Sequence, residues 1–225
     1  MSYGRQNGDT VKKGRLFVIS GPSGTGKGTI CKRLTDIADA KLSVSMTTRA
    51  PRPGERDGIN YYFVEESRFR EVLDAGGFLE HAEVYNCLYG TPKQPVFEHL
   101  NAGRDVILEI DIQGALRVRE RCPEGVFIFV LPPSMSELRK RIVGRGSETE
   151  ESVNLRMGET LKEISCIDKY DYCVVNGVLD DAVNRIAAIM TAEHSRVDAD
   201  VAELLERYRN EEAALQGDAP TKGDR

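Results

Sequence analysis

Near-continuous apolar runs recur along the chain at Leu16-Phe17-Val18-Ile19-Ser20, Val106-Ile107-Leu108-Glu109-Ile110, Val126-Phe127-Ile128-Phe129-Val130-Leu131 and Tyr172-Cys173-Val174-Val175. Such runs lack the alternation of a half-exposed strand, and they predict strands of a parallel sheet covered on both faces. Between them the apolar period becomes helical. Ile30, Cys31, Leu34 and Ile37 make one stripe, Phe69, Val72 and Leu73 a second that Gly76-Gly77 closes, and Val96, Phe97 and Leu100 a third that Gly103 closes. Ser134 and Glu137 form a capping-box pair ahead of Leu138 and Ile142. Val183, Ile186, Ile189 and Met190 predict a helix from about Asp180, with Val201, Leu204, Leu205 and Tyr208 extending the same pattern. Strands alternating with helices predict an α/β fold of three layers.

Two segments interrupt that alternation. Residues 44–95 are rich in Arg, Pro, Gly and Tyr with short β-like runs such as Tyr61-Tyr62-Phe63-Val64, and residues 139–160 are densely charged. Both read as insertions into a core made of 14–43, 96–138 and 161–209, with tails at 1–13 and 210–225. A charged segment can equally be a solvated helix face, and the pattern near 197–208 suits either a dimer contact or packing on the core, so monomer and homodimer both stand.

Composition narrows the class. At 225 residues the chain can bury a real core, and its net charge of −5 argues against a general nucleic-acid surface. No apolar run approaches a membrane span, and the first residues lack the apolar centre of a signal peptide, so a cytoplasmic protein without a membrane partner is expected. Cys31, Cys87, Cys122, Cys166 and Cys173 are odd in number and scattered, which indicates neither a disulfide framework nor a zinc site.

The most informative stretch follows the first apolar run. Gly21-Pro22-Ser23-Gly24-Thr25-Gly26-Lys27-Gly28-Thr29 sets glycines and a lysine between a buried strand and a helix, which builds a cradle of backbone N–H groups for a polyphosphate. Glycine lets the backbone approach the phosphates, and Lys27 can bring its ammonium to the β and γ groups. The Ser or Thr that ordinarily follows the lysine as a Mg²⁺ ligand is Gly28 here, with a hydroxyl one residue later at Thr29. Further on, Arg49 and Arg52 flank Pro51 in an extended stretch, and two converging guanidiniums neutralise a phosphate dianion.

At this point the sequence resembles the guanylate kinases from Leu16 to about Ala192. The motifs GPSGTGKGT, SVSMTTRAPRPGE, DGINYYFV, FLEHAEVY, LYGTP, ILEIDIQGA, LPPS, GRGSETEE and VVNG carry the resemblance in order. It implies a P-loop NTPase fold with a central parallel sheet, an inserted GMP-binding subdomain at 44–95 and a helical lid at 139–160. It implies that residues 21–29 bind ATP together with Arg141 and Asn176, and that Arg145 and Arg156 reach the triphosphate. The acceptor phosphate falls to Arg49, Arg52, Tyr61 and Tyr89, and the guanine base to Ser45, Glu80, Thr91 and Asp111. Guanine presents N1–H and an amine that suit carboxylates, and an O6 that suits hydroxyls; adenine reverses the pattern.

Tyr61 and Tyr89 have an alternative as half-buried strand aromatics, and Glu55 one as an orienting partner for Arg49 or Arg52. Glu109 stands where many members carry Asp; with Thr29 it is a candidate outer-shell holder of the Mg²⁺ that travels with ATP. The activity implied is ATP-dependent phosphorylation of GMP and dGMP. Lys27, Arg49, Arg145 and Arg156 are the residues expected at the reacting groups. A catalytically silent phosphoprotein-binding module and a kinase for another nucleotide or phosphorylated sugar are the rival readings.

Overall fold

The computed structural model describes residues 13–84, 86–143, 150–197 and 199–217. In chain order the elements are β1 (Leu16–Ser20), α1 (Lys27–Ile37), β2 (Ala40–Leu42), β3 (Met46–Thr47), β4 (Tyr62–Phe63), α2 (Glu66–Asp74), β5 (Phe78–Val84), β6 (Cys87–Pro92), α3 (Lys93–Asn101), β7 (Asp105–Glu109), α4 (Ile112–Arg121), β8 (Val126–Leu131), α5 (Met135–Val143), α6 (Glu150–Ile164), β9 (Tyr172–Val175), α7 (Leu179–Glu193) and α8 (Ala199–Gly217).

The apolar runs make a five-stranded sheet in the order β2-β7-β1-β8-β9, parallel throughout. Alternate residues of β1 divide between its faces. Phe17 and Ile19 pack with Ile30, Cys31 and Leu34 of α1 and with Val183, Ile186 and Met190 of α7. Leu16 and Val18 pack with Val96 and Leu100 of α3 and with Ala115 and Val118 of α4. This double burial explains why the strands read as unbroken apolar runs, and it gives the three layers expected. Every one of those β1 side chains is at most 6 % exposed.

A second sheet, β4-β3-β6-β5, is built from residues within 44–95, with β3 parallel to β4 and the other neighbours antiparallel. Its strands are short or polar, which is why hydropathy marked only one of them. Phe69 of α2 stacks on Phe78 of β5, ring centroids 4.6 Å apart, and anchors α2 there. Leu138 and Ile142 of α5, the helix that leads into the charged segment, pack with Val153 and Met157 of α6 in a small core of their own.

Some periodic positions differ from their expected environment. Ile37 and Phe97 extend their stripes in sequence but lie exposed, Ile37 in the final turn of α1 and Phe97 on the outer flank of α3. Half of the expected capping box forms: Glu137 N–H donates to Ser134 Oγ at 3.1 Å, while the Glu137 carboxylate turns to Arg141 instead. The helix from Asp180 does not run on through Tyr208. It ends at Glu193, α8 starts at Ala199, and α8 continues to Gly217, past residue 210 where the tail was expected. Among the described residues, those up to Met190 cluster as one compact unit and those from Thr191 on as another. No helix among the described residues is long and apolar enough to cross a membrane, and the five cysteines are free.

Candidate active site

The loop 21–26 leaves the C-terminal end of β1, the central strand, where open α/β sheets form their ligand crevice. Two of its glycines are obligatory. Gly21 has φ +145°, and a Cβ there would lie 2.3 Å from the Val130 carbonyl oxygen; Gly26 has φ +89°, and a Cβ there would lie 2.6 Å from Asn176 Nδ2. Gly26 caps α1 without a side-chain hydrogen bond, and the helical ladder opens with Ile30 N–H to the Gly26 carbonyl at 3.1 Å. The N–H groups of Lys27, Gly28 and Thr29 therefore have no helical acceptor, which suits them to an anion.

Lys27 Nζ donates to the carbonyls of Gly21 at 2.5 Å and Pro22 at 3.0 Å, which holds the ammonium over the loop. Burial lowers its pKa, and Glu109 most strongly opposes that shift, followed by Glu163. A cavity of about 280 Å³ is lined by Ser23, Gly24, Gly26 to Thr29, and Glu109. Thr25 is fully buried and donates to the Pro22 carbonyl at 2.9 Å, so its side chain shapes the loop from behind. The cavity suits a hard cation with a water shell, since it offers the Glu109 carboxylate and the Thr29 hydroxyl. Among the described residues no three His, Cys, Asp or Glu converge to enclose an ion, so the Glu109 carboxylate is the acidic group that the cavity offers.

Asn176 and Arg141 brace this loop. Asn176 follows β9 and is 5 % exposed; its Nδ2 donates to the Thr25 carbonyl at 2.8 Å. Arg141 of α5 donates to the Asn176 carbonyl at 3.2 Å and pairs with Glu137 at 3.3 Å. Arg145 lies outside the described residues, and Arg156 falls in α6 with its side chain outside them as well.

Arg49 and its neighbours form a second cluster. The Arg49 guanidinium grips Glu55 through two hydrogen bonds, 3.0 and 2.9 Å, donates to the Ala50 carbonyl at 2.7 Å, and lies 5.4 Å from the Tyr61 ring centroid. Tyr89 is also within hydrogen-bonding reach of Arg49, and its ring meets Tyr61 edge-on at 5.9 Å. Arg52 is exposed, with its backbone N–H bonded to Glu55 at 2.7 Å. Glu55 thus ties both arginine positions together, and its pKa is held down chiefly by Arg49.

The carboxylates meet at a third point. Glu80 of β5 is 5 % exposed and accepts from the Thr91 hydroxyl of β6 at 2.7 Å, across the β5–β6 ladder. Asp111 caps α4, accepting from Gly114 N–H at 2.7 Å. A Cβ at Gly114 would be 3.0 Å from Glu80 Oε2 and 3.3 Å from Asp111 Oδ1, so both acids converge over this glycine. Burial raises the Glu80 pKa, and Asp111 adds to the rise. Ser45 precedes β3 and accepts from Tyr62 N–H through its carbonyl at 2.9 Å. Gly114 and Glu163 were not singled out from the sequence: a lone helical glycine and one glutamate in a charged helix carry no local signal.

A central parallel sheet with this glycine loop at the mouth of a helix and a lysine folded over it defines a P-loop nucleotide-binding protein. The guanylate kinase family model matches residues 13–193. Among relatives, the guanylate kinase of Clostridium acetobutylicum is 56% identical over 187 residues, covering 83% of this chain and 90% of that protein. That of Clostridioides difficile is 50% identical over 202 residues, covering 89% and 98%. The crystal structure of guanylate kinase from Anaplasma phagocytophilum superposes with a TM-score of 0.72 at 35% identity, covering 87% of this chain and 95% of that one. The chain belongs to the guanylate kinase family.

Proposed function

We infer that the loop cavity takes ATP, that the Arg49 cluster takes the phosphate of GMP or dGMP, and that Glu80 and Asp111 read its base. The reaction is that of the family, phosphoryl transfer from ATP to GMP. The observation that carries the reading is the glycine loop with the Lys27 ammonium held over it by the Gly21 and Pro22 carbonyls, beside a cavity that Glu109 also lines.

Positioning and charge neutralisation account for the chemistry. The acceptor phosphate is already an anionic nucleophile, so no general base is needed. The free N–H groups at the start of α1 and the Lys27 ammonium meet the donor's β and γ oxygens, where charge spreads as the phosphoryl group transfers. Arg49, held by Glu55 on one edge of its fork, keeps its remaining donors for the acceptor phosphate, with Arg52, Tyr61 and Tyr89 beside it. Arg145 and Arg156 supply further cations from the lid at 139–160, and lid closure over the core excludes water that would hydrolyse ATP. Glu109 and Thr29 are the residues that would hold Mg²⁺, and that ion, when bound, would supply positive charge to neutralise the polyphosphate. The subdomain at 44–95 is the acceptor-binding element of this scheme, and a cytoplasmic location suits its substrates.

A coupled assay of ADP release tests the reading. GMP is expected to support turnover and AMP and CMP not, with Lys27→Met nearly abolishing it. Equal rates with all three, or a near-normal Lys27→Met rate, would overturn it.

A further inference from the structure

The strand that carries Glu80 is gripped from outside its own sheet. β5 ends the order β4-β3-β6-β5, so among the described residues β6 is its only strand partner, and a strand edge of this kind leaves backbone carbonyls without ladder bonds. Helix α4 supplies donors to them. Arg121 Nη1 donates to the carbonyls of Phe78 at 3.0 Å and Leu79 at 2.5 Å, and Arg117 Nη1 donates to the carbonyl of His81. The two guanidiniums therefore hold the backbone immediately before and after Glu80. Both charges also reach His81, whose pKa is lowered first by burial and then by Arg117 and Arg121.

The same helix carries the second acid, since Asp111 is its N-cap. Behind that cap, Gly114, Arg117 and Arg121 recur at the spacing of one helical face. That face meets β5. The bare Cα of Gly114 admits the Glu80 carboxylate, for a Cβ there would stand 3.0 Å from Oε2 and 3.2 Å from Cδ. The φ of Gly114 is not positive, so the backbone does not demand glycine, and the space that Glu80 takes is what excludes a side chain. One helix thus fixes Asp111 through its cap and Glu80 through its grip on β5. Two acceptors discriminate a base by its two donors only when both are held at the matching separation.

We propose that Arg117 and Arg121 are positioning residues for base selection: clamping the β5 backbone on both sides of Glu80, with Gly114 leaving room for the carboxylate, they hold Glu80 at the separation from Asp111 at which both acids meet one purine edge. This rests on the reading of Glu80 and Asp111 as the base site.

The test compares kcat/KM for GMP with that for IMP, whose base keeps N1–H but lacks the exocyclic amine, with KM for ATP and the melting temperature measured alongside. The parent should prefer GMP by about a hundredfold or more, and Arg117→Met/Arg121→Met should lose about tenfold of that preference, through KM for GMP and with KM for ATP unchanged. Gly114→Ala, which favours the helix and keeps both arginines, should lower the same preference by displacing Glu80. A role confined to holding the fold together would lower the melting temperature and scale turnover of GMP and IMP alike. An unchanged preference in the double variant or in Gly114→Ala, or an equal rise in KM for GMP and ATP, would overturn the proposal. If the parent does not distinguish GMP from IMP and Glu80→Gln leaves KM for GMP unaltered, the base reading fails first and takes this one with it; a preference that Glu80→Gln abolishes and the double variant keeps removes the arginines alone.

Discussion

The Thr91 hydroxyl donates to Glu80 Oε1 across 2.7 Å, with both side chains almost wholly buried. A hydroxyl has one hydrogen to give, so in this arrangement Thr91 has lone pairs to offer a base and not the hydrogen for O6 that the sequence suggested. The bond also fixes Glu80 so that Oε2 points over Gly114 beside Asp111. Two carboxylates therefore meet there, the acceptor set that the proposed guanine reading requires.

Glu80→Gln replaces an acceptor-only group with one that presents an amine to guanine's own donors. Its KM for GMP should rise about 10- to 100-fold, the range for losing a hydrogen bond to a charged group, with KM for ATP unchanged. Steady-state kinetics with each nucleotide varied in turn checks this; a parallel rise in both constants would mean that Glu80 supports the fold rather than the base.

Acidification should move binding and stability in opposite directions. Burial raises the Glu80 pKa above its usual value, so as pH falls through that raised value the folded protein takes up a proton that the unfolded chain takes up only lower. Within that window Glu80 makes the ligand-free protein more stable as pH drops, while the neutral acid no longer suits guanine's donors and KM for GMP climbs. Thermal melts and GMP titrations of parent and Glu80→Gln across the acid range give the comparison. In Glu80→Gln this part of both trends should vanish.

Glu55 acts through Arg49. With Glu55→Gln the two-pronged grip loses its charge, and the guanidinium should wander from the phosphate position, raising KM for GMP by about tenfold as a misplaced contact does. Binding of guanosine, which has no phosphate, should not change. A loss for guanosine equal to that for GMP would remove Glu55 from the phosphate pocket.

The core of the fold was legible because each buried strand is apolar on both faces, as Phe17 and Ile19 on one side and Leu16 and Val18 on the other illustrate. The second sheet was only partly legible. Its strands are two to seven residues long and carry Glu80, Thr91 and Tyr89, so their pattern is set by the site rather than by a core. Glu80 and Thr91 were nameable through the resemblance, but their mutual bond depends on the β5–β6 register. Asp111 as a helix cap, Asn176 as a brace for Thr25, and Arg121 on the Leu79 carbonyl are long-range relations of the same kind. Ile37 and Phe97 show the reverse limit, since periodicity reports a helix face and not whether anything covers it.

The central claim is that the loop cavity and the Arg49 cluster open onto one space across which a phosphoryl group passes. A single molecule joining adenosine and guanosine through a polyphosphate chain long enough to span both addresses it directly by titration calorimetry. If the sites face each other, this compound displaces both ATP and GMP and binds tighter than either alone by orders of magnitude, because the second site is filled intramolecularly. Affinity no greater than that of ADP, or displacement of only one nucleotide, would contradict the account.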